Sequence, residues 1–306
     1  MSTVTADSGR LPASHIDLLD RPLPTVLTTE MRSGRLQSTV VWCQREGGHL
    51  LVNTMREFQK ARNMQARPPA TALIVEPGDD SRWIEVRARA VADYRDAVSH
   101  LNDLARYYTG TEPYFGAVVP ASLAVVEHPI VFCLEPVVVR TGPMWVHSRP
   151  TSAVPQPPPD GPRWECTGEP AIPPSHRDLL ERPLSVALST RLPDGSAQTQ
   201  PVWCCLEGND ILVNTTRQRR KGRNLAADPR ATVLAVDPDD SGRWIEIRGD
   251  AELISQGALA QLDELTELYT GHRQYYGRIY PSGQRWRETR VIVRVHPRRI
   301  TCDAIH

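Results

Sequence analysis

The sequence contains itself twice. Sliding the chain by 161 residues lays SHIDLLDRPL (14–23) on SHRDLLERPL (175–184), VVWC (40–43) on PVWC (201–204), VNTMR (52–56) on VNTTR (213–217), RWIEVR (82–87) on RWIEIR (243–248) and YTGTEPYFG (108–116) on YTGHRQYYG (269–277). One register serves all five segments without a gap, so whatever one copy folds into, the other must fold into as well. A length of 306 residues is enough for two domains that each bury a core. Between the copies lies RPTSAVPQPPPDGP, whose prolines favour an extended, semi-rigid connector. The expected division is a first repeat over 1–148, a linker over 149–163 and a second repeat over 164–306.

Within a copy, ALIVEP, WIEVRARAVADY and VFCLEPVVVRT, and in the second copy ATVLAVD, WIEIRGDAELI and VIVRVHPRRIT, are dense in Val, Ile and aromatic residues with partial alternation, as strands buried on at least one face require. SHIDLLDRP reads as a short helix begun by a Ser cap and stopped by Pro. AVSHLNDLARYYTG places Leu101, Leu104 and Tyr108 on one helical face and ends at Gly110. Strands follow one another without regular helix alternation, which predicts a mainly β fold, an antiparallel barrel with attached helices rather than a parallel sheet.

The formal charge is zero, with 36 acidic and 36 basic side chains, so no overall basic field exists to hold nucleic acid or an anionic membrane. Any anion site must be local. Cys43, Cys133, Cys166, Cys204, Cys205 and Cys302 show no CxxC spacing, and the N-terminus has no basic end followed by an apolar run, which together suggest a cytoplasmic protein with free thiols. The most apolar stretch, residues 117–139, is broken by Glu127, Glu135 and three prolines and reads as loop plus buried strand, not as a membrane helix. Of the nine histidines only His15 and His176 match between copies, so no metal set is assigned.

Lys60 and Lys221 are the only lysines, so 34 of the 36 basic side chains are Arg, and 221 − 60 is again 161. They sit in TMREFQKARN (54–63) and TTRQRRKGRN (215–224), each a strand end running into a polar helix. A helix N-terminus offers unpaired backbone N–H groups and partial positive charge, and a preceding Thr can cap it. Lys221 and Asn224 are three apart and Arg217 and Lys221 four apart, so all three can share a face. A compact ammonium makes a point contact with phosphate where a planar guanidinium does not fit. A charge run such as RQRRKGR is by itself most often a solvated helix face; the pairing of two lysines across the repeat favours an anion site. Trp42 and Trp203 are candidates for either a ring pocket or the core, Arg82 and Arg243 for hairpin entries, and Tyr108 and Tyr269 for packing at a helix end.

Taken together, the LxTxxxDGxxxxxPVW strand pair, the NTxxxxxKxxN turn and the RWxExxG strand of the second copy resemble the split-barrel flavin and deazaflavin oxidoreductases related to pyridoxamine 5'-phosphate oxidase, and most closely their coenzyme F420 branch. The resemblance implies two tandem split β-barrels of the FMN-binding type related by a pseudo-twofold, with F420, or alternatively FMN, in the groove between them. It further implies that Thr215, Arg217, Lys221 and Asn224 bind the cofactor phosphate, with Thr54, Arg56, Lys60 and Asn63 as a second set. Gln198, Gln200, Pro201, Val202 and Trp203 would border the ring system. The hydride chemistry belongs to the cofactor, so no catalytic side chain is assigned, although a Tyr such as Tyr276 could protonate a product. The partner expected is an unsaturated small molecule, and the two repeats form an intramolecular pseudo-dimer unless each pairs with a second chain.

The first copy departs from this pattern. Glu57, Phe58 and Gln59 stand against Gln218, Arg219 and Arg220, Ser33 against Asp194, and Ala88 against Gly249. The second site is therefore expected to be the stronger, with the apolar 117–126 segment of the first copy shaping a substrate pocket. A non-catalytic flavin, deazaflavin or haem carrier of the same fold is the alternative from a different functional class; haem would need an axial ligand.

Overall fold

The computed structural model describes residues 7–142 and 170–303. The proline-rich segment expected as a linker and Cys166 lie outside the described residues. The first repeat runs β1 (Asp7–Ser8), α1 (Ile16–Leu19), β2 (Thr25–Glu30), β3 (Leu36–Val41), β4 (Cys43–Glu46), β5 (His49–Met55), α2 (Gln59–Ala66), β6 (Pro69–Glu76), β7 (Asp79–Asp93), α3 (Ala97–Thr109) and β8 (Pro129–Thr141). The second runs α4 (Pro174–Glu181), β9 (Val186–Arg191), β10 (Ala197–Val202), β11 (Cys204–Glu207), β12 (Asp210–Thr216), α5 (Arg220–Ala227), β13 (Arg230–Val236), β14 (Trp244–Ile254), α6 (Ala258–Thr270) and β15 (Arg290–Cys302).

Each repeat forms an antiparallel sheet of the same order, β3-β2-β6-β7-β8-β5-β4 and β10-β9-β13-β14-β15-β12-β11, with β1 added along β8. The long central strands slip register at equivalent points, Arg87/Ala88 and Arg248/Gly249, and such a bulge sharpens the bend that curls the sheet. At Gly249 a Cβ would lie 2.4 Å from the His296 carbonyl oxygen, so only glycine fits this approach. Strand alternation sends Leu50, Val52, Ile84, Val86 and Phe132 into the first barrel and Ile211, Val213, Ile245, Ile247 and Val293 into the second. The Leu-Leu pair of each short helix, Leu18 and Leu19 or Leu179 and Leu180, joins the barrel core. Each leucine contributes about 1.5–3 kcal/mol of burial.

Three local expectations are corrected. The short helices are not begun by a Ser cap: Ser14 and Ser175 turn their hydroxyls to the Nδ1 atoms of His15 and His176 at 2.9 Å, and the N-cap of α4 is Pro173. Helix α3 ends at Gly110 in the left-handed conformation, as expected, but Tyr108 does more than pack. Its hydroxyl accepts from Cys43 N (3.1 Å) and donates toward Cys43 O (3.0 Å), and Tyr269 does the same at Cys204. These tyrosines satisfy backbone groups where the chain breaks from β3 to β4, and from β10 to β11, at Trp42 and Trp203. Arg82 and Arg243 are ties rather than free surface groups: Arg82 bridges Asp17 and Glu76, and Arg243 bridges Asp178 and Asp237, joining the short helix of each repeat to its hairpin.

The barrels face each other about a pseudo-twofold, and its contacts come in pairs. Ser38 N donates to Glu246 Oε1 and Thr199 N to Glu85 Oε1, each at 2.7 Å; Thr71 Oγ1 donates to Ala197 O and Thr232 Oγ1 to Leu36 O. Thr28 and Ser189, 161 residues apart, touch each other at 3.1 Å, which places them beside the axis. With Ser38 and Thr199 they form a closed, fully buried hydroxyl cluster, flanked by an apolar cluster containing Val26, Leu73, Trp83, Ala187, Leu234 and Trp244.

Candidate functional site

A groove of about 500 Å³ opens between the barrels, within the size range of small-molecule sites. The first barrel supplies Asp80 and Trp83 from β7 and Arg140 and Thr141 from β8. The second supplies its floor. Alternation along β10 turns Gln198, Gln200 and Val202 to the groove and Pro201 to a separate cavity. Trp203 follows, stacked on Tyr269 with ring centroids 5.0 Å apart, its Nε1 donating to Asp80 Oδ2 at 3.2 Å. Leu262, Leu265 and Ile279 line an apolar part of the wall.

The cations converge on this groove. Arg219, Arg220, Lys221 and Arg223 come from the start of α5, Arg290 from β15 and Arg140 from the first barrel. Helix α5 buries Lys221, Asn224 and Leu225, a spacing of three and four residues that keeps them on one face. Gly222 lets that face press on the end of β12, since a Cβ there would lie 2.2 Å from Thr216 O. Lys221 is 8 % exposed, and among the described residues nothing forms a hydrogen bond or ion pair with its ammonium. Burial pulls its pKa down to about 7; Arg219 and Arg290 push the same way, and Glu85 from the first barrel opposes them. Glu85 is itself fully buried, its pKa raised by burial to about 7 against the pull of Thr199 N–H, Arg87, Arg140 and Lys221, and its Oε2 has no hydrogen-bond partner. Arg290 has a side chain only 3 % exposed. Its guanidinium lies 4.8 Å from the Tyr275 ring and bonds the Tyr276 hydroxyl and Glu288. Lys221 is thus buried without a carboxylate partner among the described residues, with Arg219 and Arg140 half-buried and Arg220 and Arg223 exposed around it, an environment for an anion.

Of the residues proposed from sequence, Gln198, Gln200, Val202, Trp203 and Lys221 line the groove, while Thr215, Arg217, Asn224 and Pro201 do not. Asn224 is a structural link, donating to Thr190 Oγ1 and Gln198 Oε1. Arg217 reaches Ser255 on the outside. The threonine that caps the turn before α5 is Thr216, whose Oγ1 accepts from Arg219 N at 3.1 Å; Thr215 is buried with its hydroxyl unpaired. Tyr276 is tied to Arg290 and Glu288 and does not line the groove. Nor does the 117–126 segment, part of which packs on its own repeat.

In the first repeat, Lys60 sits 5.5 Å from the Phe58 ring centroid, and Asn63 bonds Thr29, Gln37 and Gln59. Thr54 is buried like Thr215, and Arg56 is exposed. Glu57 turns away to His128, so it does not confront Lys60. Sequence reasoning missed Arg140, Arg290, Trp83 and Glu85. The glutamate shared by RWIEVR and RWIEIR, inside an otherwise apolar strand, was the visible signal for the last.

Residues 172–302 match the family described as pyridoxamine 5'-phosphate oxidase. With the sheet order above, this defines the class: two pyridoxamine 5'-phosphate oxidase-like split barrels in one chain. Among solved structures the chain is similar to an F420 reductase at 30% identity, covering 42% of this chain and 98% of that one with a TM-score of 0.37. A conserved hypothetical protein of Mycobacterium tuberculosis aligns at 23% identity over 46% and 92% of the two chains, TM-score 0.35. HutZ, the heme storage protein of Vibrio cholerae, aligns at 14% over 43% and 94%, TM-score 0.32. No curated protein matches the sequence. No helix among the described residues is long and apolar enough to cross a membrane.

Proposed function

We propose that the chain is an oxidoreductase that holds F420, or alternatively FMN, in the inter-barrel groove and exchanges hydride between it and an unsaturated small molecule. The observation that carries this reading is the unpaired, buried Lys221 at the centre of six groove cations. A phosphate there would gain charge-assisted contacts with Lys221, Arg220 and Arg223 that none of the described residues supplies, and with Arg219, whose only such partner among them is Glu288 at 3.8 Å. The donor set fits the rest of such a cofactor too. The face of Trp203, backed by Tyr269, suits a planar ring, Gln198 and Gln200 offer amides to its polar edge, and Trp83 Nε1 is buried without a hydrogen-bond partner. Bound, the deazaflavin or flavin would supply the hydride chemistry. The protein's part is to fix the ring against Trp203, to exclude water with Leu262, Leu265 and Ile279, and to hold the phosphate end. A haem carrier fits less well, since no histidine or cysteine is among the described residues that line the groove.

Titration of one purified sample with F420, FMN and haem tests the reading. F420 or FMN should bind at one equivalent per chain, with quenching of Trp203 fluorescence. Binding of haem alone, or of none of the three, would reject it.

A further inference from the structure

On the opposite side of β10 from the groove lies a second cavity, of about 150 Å³, between the two sheets at the pseudo-twofold. Its walls are apolar and come from both barrels: Val26, Leu73 and Val75 from the first, Ala187, Leu234 and Val236 from the second. An apolar cavity of about this volume accepts a benzene-sized ring. Pro201 lines it from β10, whose neighbouring residues Gln200 and Val202 line the groove, so one strand separates the two spaces. Asp80 belongs to both.

The charge around this slot is specific. None of the described residues lining it is basic. Glu76 is neutralised by Arg21 and Arg82, and Asp237 by Arg182 and Arg243. Asp80 has no cation partner among the described residues. Its Oδ2 accepts from Ser185 Oγ and Trp203 Nε1, and its Oδ1 accepts no hydrogen bond among the described residues. At the equivalent position of the second repeat stands Ser241, so the free carboxylate marks one end only, the end that adjoins the groove.

We propose that this slot is a second small-molecule site, for a molecule with one apolar ring of benzene size that carries an N–H or O–H donor and no negative charge. The ring occupies the apolar walls, and the donor meets Asp80 Oδ1, beside Trp203 and the groove. An anion is excluded by the carboxylate. Because β10 stands between slot and groove, this ligand is bound apart from the hydride step, and the site does not rest on the cofactor reading of the groove.

The test is calorimetric titration of the full chain with benzylamine and phenol, without cofactor, followed by F420 and FMN titrations of the same samples. Both ring probes should bind the parent. Val236→Phe fills the slot and should weaken both by more than about tenfold while leaving F420 and FMN affinity within about twofold. If that variant does not fold, Val75→Phe replaces the residue at the equivalent position. Asp80→Asn should weaken benzylamine by about tenfold and phenol by less than about threefold. Failure of both probes to bind the parent, or equal binding to parent and slot-filled variant, overturns the proposal. Ring binding without any response to F420 or FMN would instead overturn the cofactor reading and leave the slot standing.

Discussion

The surroundings of Lys221 and of Lys60 are built from equivalent positions and differ in the side chains that stand there. Subtracting 161 from the groove residues of the second repeat, Arg219, Arg220 and Arg290 become Phe58, Gln59 and Pro129, and only Lys221 and Arg223 keep basic counterparts, Lys60 and Arg62. Adding 161 to Arg140 gives Thr301. Tyr276 and Tyr280 become Phe115 and Val119. Both repeats build a cluster here, Trp42, Phe115, Val118 and Val119 on Leu101 and Tyr114 in the first and Trp203, Tyr276, Ile279 and Tyr280 with Leu262 and Tyr275 in the second; the first extends it with Met55, Ala105 and Phe58, where the second has the polar Thr216, Thr266 and Arg219. The cross-barrel glutamates diverge in the same way. Glu246 has Arg248 Nε at 3.1 Å, whereas Glu85 keeps an unpartnered Oε2 near Lys221. Identical chains meeting on a true twofold must present two identical sites. One chain carrying both barrels is free to let the two sites diverge.

The largest effect that would sharpen this contrast is at Arg290. Arg290→Ala removes a buried cation and leaves Glu288 without its closest charge partner, which should cost on the order of 3 kcal/mol in denaturant unfolding. It should also reduce cofactor affinity, whereas Pro129→Ala, the equivalent change in the first repeat, should leave that affinity unchanged. Equal losses at the two positions would mean that the two sites are not functionally distinct. Next in size is Lys221→Ala, which removes one charge-assisted contact of about 1.5–3 kcal/mol, a roughly tenfold to more than hundredfold loss of F420 or FMN affinity, with little change in ligand-free melting temperature.

Much of this architecture is legible in the sequence, because a repeat constrains itself. The 161-residue register, the strand segments and the helix ended by Gly110 all follow from patterns within a few residues of each other. The site was legible only where the signal was local. Lys221 stood out as a rare residue type in a helix-start motif, but Asn224 shares that motif and turns out to hold Thr190 and Gln198 in place. Arg140 and Arg290 were missed because they enter the groove from strands far away in sequence, one of them in the other repeat. A residue-by-residue comparison of the two copies points to Arg290 through its replacement by Pro129, but only for a reader who already knows that β15 borders the groove.

Protonation offers a finer probe of the second repeat. With its pKa near 7, Lys221 loses its charge as pH rises through neutrality, so affinity for an anion should fall by roughly tenfold between pH 6 and 8. Sulfate is the suitable ligand, because its own charge is constant over that range. Lys221→Arg keeps its charge at all these pH values and should make the profile shallower, leaving the fall caused by ionisation of Glu85, whose pKa is also raised to about 7, while binding less well at pH 6 because the fork does not reproduce the compact ammonium. A parent profile that is already flat would place the sulfate away from Lys221.

The smallest effect is expected in the first repeat, at Lys60. Its pKa is lowered to about 8, chiefly by desolvation and against the attraction of Glu246. The folded state thus disfavours the charged form. Below about pH 8 that penalty is fully present; between 8 and the ordinary lysine value near 10.5 the unfolded chain binds more protons than the folded one, so this residue's contribution to stability rises with pH. Lys60→Met keeps the stem beside Phe58 and removes the charge. It should change stability by less than about 1 kcal/mol, since Glu246 retains Arg248 as a partner. Any gain in melting temperature should be greatest below pH 8 and shrink toward pH 10. Cofactor affinity should stay within about twofold of the parent. A loss comparable to that of Lys221→Ala would show that Lys60 also contacts the ligand.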